Sequence, residues 1–92
     1  MSKNGYHIRK ITRGKIGEVS KIKEEIEELE DALEQKNKIM ALVELSDLYG
    51  AIDLFLKKHF PDTTMKDLKI MSETTQRAFK NGHRKSRGED DK

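Results

Sequence analysis

The side chains best placed to do chemistry are carboxylates in two pairs of like spacing, Glu25 and Glu28, then Glu44 and Asp47. On a helix an i, i+3 pair shares a face. Projected at about 100° per residue from Glu25, the apolar Ile22, Ile26, Leu29 and Leu33 fall between roughly 40° and 100°, so Glu25 borders the apolar arc and Glu28 lies about 60° beyond it. From Glu44, the residues Leu45, Leu48, Ile52, Phe55 and Leu56 span roughly 20° to 120°, which sets Glu44 inside the apolar sector and Asp47 about 60° to its side. An unpaired buried carboxylate is costly, and four facing one another would either take up protons or demand a cation. With neither His nor Cys close by in the sequence, hard oxygen ligands favour Mg²⁺ or Mn²⁺ over Zn²⁺. Mg²⁺ held in this way commonly keeps water and takes phosphate oxygens as further ligands.

These pairs are meaningful only if two helices present them to each other. Ile16, Val19, Ile22, Ile26, Leu29 and Leu33 recur at helical spacing and predict a first helix over residues 15–35. Ile39, Met40, Leu42, Val43, Leu45, Leu48, Ile52, Phe55 and Leu56 predict a second, ending near His59. The short break at Gln35, Lys36, Asn37 and Lys38 makes the two antiparallel and sets both acid pairs at similar distances from the turn. Pro61 disfavours helical geometry at Phe60. Thr64 followed by Asp67 resembles a capping box that opens a third helix through Met65, Leu68, Met71, Thr75, Ala78 and Phe79, with Asn81-Gly82 as a plausible end. The expected fold class is all-α, an antiparallel bundle of two long helices plus a shorter third. Residues 1–14 form an arm, 15–82 the helical domain and 83–92 a charged tail expected to be disordered.

Composition narrows the function classes. Among 92 residues, 34% are hydrophobic, 39% charged and none is cysteine, which removes disulfides, thiolate zinc sites and cysteine nucleophiles. So small and polar a chain has a thin core as a monomer, and self-association is expected. No apolar run approaches the roughly 20 residues of a membrane span, and the start lacks a signal-peptide apolar block, so a soluble cytoplasmic protein is expected. The net charge of +2 hides a segregation, with a basic arm and a basic tail bracketing an acidic centre. The other acids of the first helix, Glu24, Glu27, Glu30, Asp31 and Glu34, read as a solvated face. For Glu44 and Asp47 the alternative to a metal is a salt bridge to Lys or Arg from the third helix or a second subunit.

The sequence Glu24-Glu25-Ile26-Glu27-Glu28, fifteen residues, then Glu44-Leu45-Ser46-Asp47, resembles the EExxE and ExxD signature of MazG-like nucleotide pyrophosphohydrolases. The likeness covers residues 15–59 closely. It extends loosely through Arg77 to Gly82, which is similar to the third-helix end of small phage and bacterial members. The resemblance implies Mg²⁺-dependent cleavage of a (d)NTP to (d)NMP and pyrophosphate, serving to clear the nucleotide pool. It also implies that Glu25, Glu28, Glu44 and Asp47 are the metal ligands, with Glu24 in a supporting catalytic role, and that the chain works as a dimer or tetramer. Counter-charge for the triphosphate would come from Arg77, Lys80 and Arg84, with Lys57, Lys58 and Lys85 as further candidates. Asp53, His59 and His83 read as solvent or cap residues, and Tyr49 and Phe55 as core. The competing class is a non-catalytic helical module that binds nucleic acid or an acidic partner through its basic ends, a reading the acid pairs disfavour.

Overall fold

A computed structural model of the chain describes residues 7–80, with side chains described as far as residue 77. Those residues form three helices, α1 (Val19–Glu34), α2 (Lys38–His59) and α3 (Met65–Lys80), and no strand. No helix among them is long and apolar enough to cross a membrane. The chain divides into two compact units, Met1–Asp62 and Thr63–Lys92.

In the first unit α1 and α2 run antiparallel, as their pairings show: Glu18 meets Lys58 while the Glu25 and Glu28 carboxylates meet those of Glu44 and Asp47. The turn between them is fixed locally. Lys36 takes the left-handed conformation at φ 58°, its N–H donates to the Leu33 carbonyl, and the Asn37 N–H donates to that of Ala32. This doubly bonded reversal usually carries glycine. Asn37 then caps α2, its side chain accepting the Met40 N–H at 3.0 Å. α2 ends at His59, and Phe60 before the proline leaves helical geometry at φ −138°, ψ 68°.

Helix α1 starts at Val19, four residues later than the periodicity predicts. Gly17 sits at φ 84° and Glu18 is extended at φ −114°, ψ 163°, so the chain turns into the helix there, and Ile16 lies exposed outside the stripe.

The core also differs from expectation. The buried apolar residues are Ala32, Ala41, Ala51 and Leu56, with Ile22, Leu29, Leu48, Ile52 and Phe55 half-buried. Buried Glu24, Glu25, Glu28, Asp31 and Ala32 of α1 centre about 130° from the apolar arc on the helical projection. Val19, Ile26 and Leu33 on α1 face out, as do Leu42, Leu45 and Tyr49 on α2, so Tyr49 is not core. Small alanines let the two backbones approach, and the width left between them is filled by acids.

The second unit holds α3. Its start is the expected capping box: the Asp67 N–H donates to Thr64 Oγ1 at 3.1 Å, and the Thr64 N–H donates to Asp67 Oδ2 at 2.9 Å.

Lys36→Gly removes the cost of a side chain in the left-handed region and is expected to stabilise the fold by about 0.5 kcal/mol. Asn37→Ala removes the cap and is expected to cost about 1 kcal/mol. Thermal unfolding of the two variants should show shifts of opposite sign.

Candidate metal centre

Residues 7–15 run irregularly along α1, held by two buried carboxylates one heptad apart. Asp31 accepts the backbone N–H groups of Ile8 at 2.9 Å and Arg9 at 2.7 Å, and also the Gln35 side-chain amide. Burial alone would raise its pKa, but these three donors outweigh that and hold the carboxyl below its ordinary value. Glu24 Oε1 accepts the Gly14 N–H at 2.8 Å and pairs with Lys21 Nζ at 3.2 Å. Gly14 is pressed so closely on α1 that a Cβ there would overlap the Ser20 carbonyl. Arg9 binds Glu34 with two nitrogens and reaches Glu30 at 3.1 Å, which raises its own pKa and lowers that of Glu34. Glu24 and Asp31 are therefore not the solvated acids that their wheel positions suggest, because the arm covers that face of α1. Glu30 and Glu34 remain exposed.

Beside this structural pair, the four acids selected from the sequence come together. Glu25, Glu28, Glu44 and Asp47 each offer one oxygen, all within 4.8 Å of one another. Glu25, Glu28 and Glu44 are buried and Asp47 is exposed, so the group opens to solvent on one side. A hollow of about 360 Å³ lies there, lined by Ile16, Lys21, Glu25, Ser46, Asp47, Gly50, Ala51 and Leu54. The oxygen donors are hard and largely buried, and they converge from two antiparallel helices, a set that fits Mg²⁺ or Mn²⁺. Glu24 stands apart from the four, with one oxygen committed to the arm.

Two residues join the centre that the sequence reading did not select. Lys21 Nζ lies 3.1 Å from Glu25 Oε2 as well as against Glu24. Burial lowers its pKa, but the two carboxylates raise it by more. The i, i+4 spacing to Glu25 carried that signal. His7 comes from the arm with its side chain buried; Nε2 is 3.9 Å from both Glu28 Oε2 and Glu44 Oε2, and Nδ1 is 3.7 Å from Asp31 Oδ1. It lies 21 residues from Glu28, and no local pattern announces it. A donor set free of histidine is thus corrected to one with an imidazole alongside.

The basic candidates fare differently. Arg77 lies exposed on α3 in the second unit and contacts Thr74; the Lys80 side chain, Arg84, Lys85 and the tail lie outside the described residues. Lys57 pairs with Asp53 at 3.2 Å and Lys58 with Glu18. His59 hydrogen-bonds the Gly17 carbonyl at 3.1 Å and packs on Phe55. A second hollow of about 420 Å³ is lined by His7, Arg9, Lys10, Ile11 and Arg13.

Scanned against protein-family models the chain matches none, and comparisons with curated proteins and with solved structures give no match either.

Since the folded pKa of Asp31 lies below its ordinary value of 3.8, its stabilisation is complete above that value and is lost as pH falls through the lower folded one. Asp31→Asn is expected to cost about 1–2 kcal/mol at neutral pH. The deficit in thermal unfolding should shrink below about pH 4. A deficit unchanged into acid would show that the charge on Asp31 does not hold the arm.

Proposed function

We propose that this chain is a Mg²⁺-dependent nucleoside triphosphate pyrophosphohydrolase of MazG-like type, converting (d)NTP to (d)NMP and pyrophosphate in the cytoplasm and so clearing the nucleotide pool. The observation that carries the reading is the convergence of Glu25, Glu28, Glu44 and Asp47 within 4.8 Å, with three of the four buried. These are the residues that the resemblance to the EExxE and ExxD signature selects. Carboxylates this close are stabilised by positive charge, of which Lys21 supplies part, and an ion of small radius with oxygen preference would add to it. Bound there, Mg²⁺ would orient and acidify a water and offset charge on the phosphate oxygens.

The remaining parts belong to the chain itself. The buried three carboxylates hold fixed positions, while Asp47 stands at the edge facing the hollow. Ile16, Ala51 and Leu54 give that hollow an apolar wall suited to a nucleoside, and Lys21 gives it a cation. More positive charge lies along the arm at Arg9, Lys10 and Arg13, in the hollow that His7 shares. Glu24 acts in this scheme by holding Gly14 and Lys21 rather than by touching substrate. Val19, Ile26, Leu33, Leu42, Leu45 and Tyr49 leave apolar surface on both long helices, which supports a homodimer or a tetramer that completes the bundle.

A second reading, a helical module binding nucleic acid or an acidic partner, draws on the arm hollow lined by Arg9, Lys10 and Arg13. It predicts binding that weakens steeply with salt and survives loss of the acids.

Purified protein incubated with a panel of NTPs and dNTPs should release monophosphate and pyrophosphate only with Mg²⁺. Glu44→Gln should lower the rate by on the order of a hundredfold or more while leaving the helical content intact. Undiminished turnover in that variant would remove Glu44 from the site. The doubly substituted Ile26→Glu/Leu33→Glu chain should run as a monomer in light scattering where the wild type runs as a multimer. A monomeric wild type would end the oligomer proposal.

A further inference from the structure

We propose that His7 is a metal ligand, delivered by the N-terminal arm to an ion position that it shares with Glu28 and Glu44. The position is a mixed nitrogen and oxygen site that admits Mn²⁺ or Co²⁺. The inference rests on the metal reading of the four carboxylates, and goes beyond it in assigning a nitrogen donor and a second ion position.

The geometry has three parts. Nε2 of His7 lies 3.9 Å from one oxygen of Glu28 and 3.9 Å from one of Glu44. That is too long for a hydrogen bond. It is within the separation of roughly 3–4 Å shown by two donors that each sit about 2.1 Å from a common ion. His7, Glu28 and Glu44 each bring one such atom within 4.8 Å of the others. The opposite ring nitrogen, Nδ1, faces the Asp31 carboxylate at 3.7 Å. A carboxylate on the far side of the ring is a usual companion of a ligating imidazole; at 3.7 Å this one is near enough for charge attraction and beyond hydrogen-bond length. Finally, Asp31 also accepts the N–H groups of Ile8 and Arg9, the two residues after His7, so the same carboxylate sets the backbone that aims the ring.

The His7 side chain is buried among three carboxylates while Ile8 and Lys10 of the same arm are exposed, which sets the imidazole apart from the rest of the arm. An imidazole also changes which ion is held. Carboxylate and water suit Mg²⁺, whereas a nitrogen donor raises affinity for first-row transition ions. Glu28 and Glu44 belong to both groups, so the His7 position lies next to the all-carboxylate position and shares two of its ligands.

The test uses the full chain loaded with Mn²⁺ alone and electron spin-echo modulation to detect nitrogen coupled to the ion. The wild type should show ¹⁴N coupling. His7→Gln should lose it while still binding Mn²⁺, and its Co²⁺ affinity should fall about tenfold with Mg²⁺ affinity changed less than about twofold. The His59→Gln/His83→Gln chain, in which His7 is the remaining histidine of three, should keep the coupling whether or not His7→Gln folds. Bound Mn²⁺ without ¹⁴N coupling, or coupling lost in the His59→Gln/His83→Gln chain, would overturn the assignment and leave the four-carboxylate reading standing. No Mn²⁺ binding by the wild type would overturn both.

Discussion

Negative charge packed between two helices is the constraint to which the rest of the first unit answers. Among the described residues Glu24, Glu25, Glu28, Asp31 and Glu44 are all buried, and the fully buried apolar residues are three alanines and Leu56. Taking a carboxylate out of water without donors costs several kcal/mol, and like charges in proximity add to it. Backbone N–H groups of the arm serve Asp31 and Glu24, and Lys21 serves Glu24 and Glu25. The arm is thus part of the fold rather than an appendage, since without it a face of α1 would present carboxylates with fewer donors.

Helix α1 carries its acids in two rails. Glu24 and Asp31, a heptad apart, lie nearly in line on the projection, while Glu25 and Glu28 lie about 80° round from them toward α2. The first rail takes hydrogen bonds from the arm, and the second meets Glu44 and Asp47. Residue type is the same in both. Which backbone passes by decides whether an acid of α1 holds the arm or faces the acids of α2.

Much of this could be read from the sequence because helical periodicity is local. The three helices, the reversal after Glu34, the stop before Pro61 and the Thr64–Asp67 box all follow from near-neighbour chemistry. So does the convergence of the two acid pairs, since an antiparallel pair joined by a short turn fixes which residues face each other. The late start of α1 was not legible from periodicity, because Ile16 fits the stripe while Gly17 at φ 84° breaks the helix. The fate of Glu24 and Asp31 was hidden for another reason. A wheel takes the apolar arc as the inside, yet on α1 that arc is split, with Ile26 and Leu33 exposed and Ile22 and Leu29 half-buried, and residues 7–15, without periodicity of their own, cover the acids. His7 escaped notice by the same route.

The exposed apolar residues of α1, Val19, Ile26 and Leu33, and its buried acids are two sides of one design. A chain with 34% hydrophobic residues cannot fill both an intramolecular core and an outer face, and here α1 gives the inner position to acids. Burying Val19, Ile26 and Leu33 against another copy would regain apolar contact on the far side of α1 without disturbing the carboxylates. It would also stiffen the helix that supplies two of the four candidate ligands. Were an ion and a second copy both bound, their effects would meet in α1, which carries two of the four candidate ligands, Glu25 and Glu28, on one side and the exposed Val19, Ile26 and Leu33 on another.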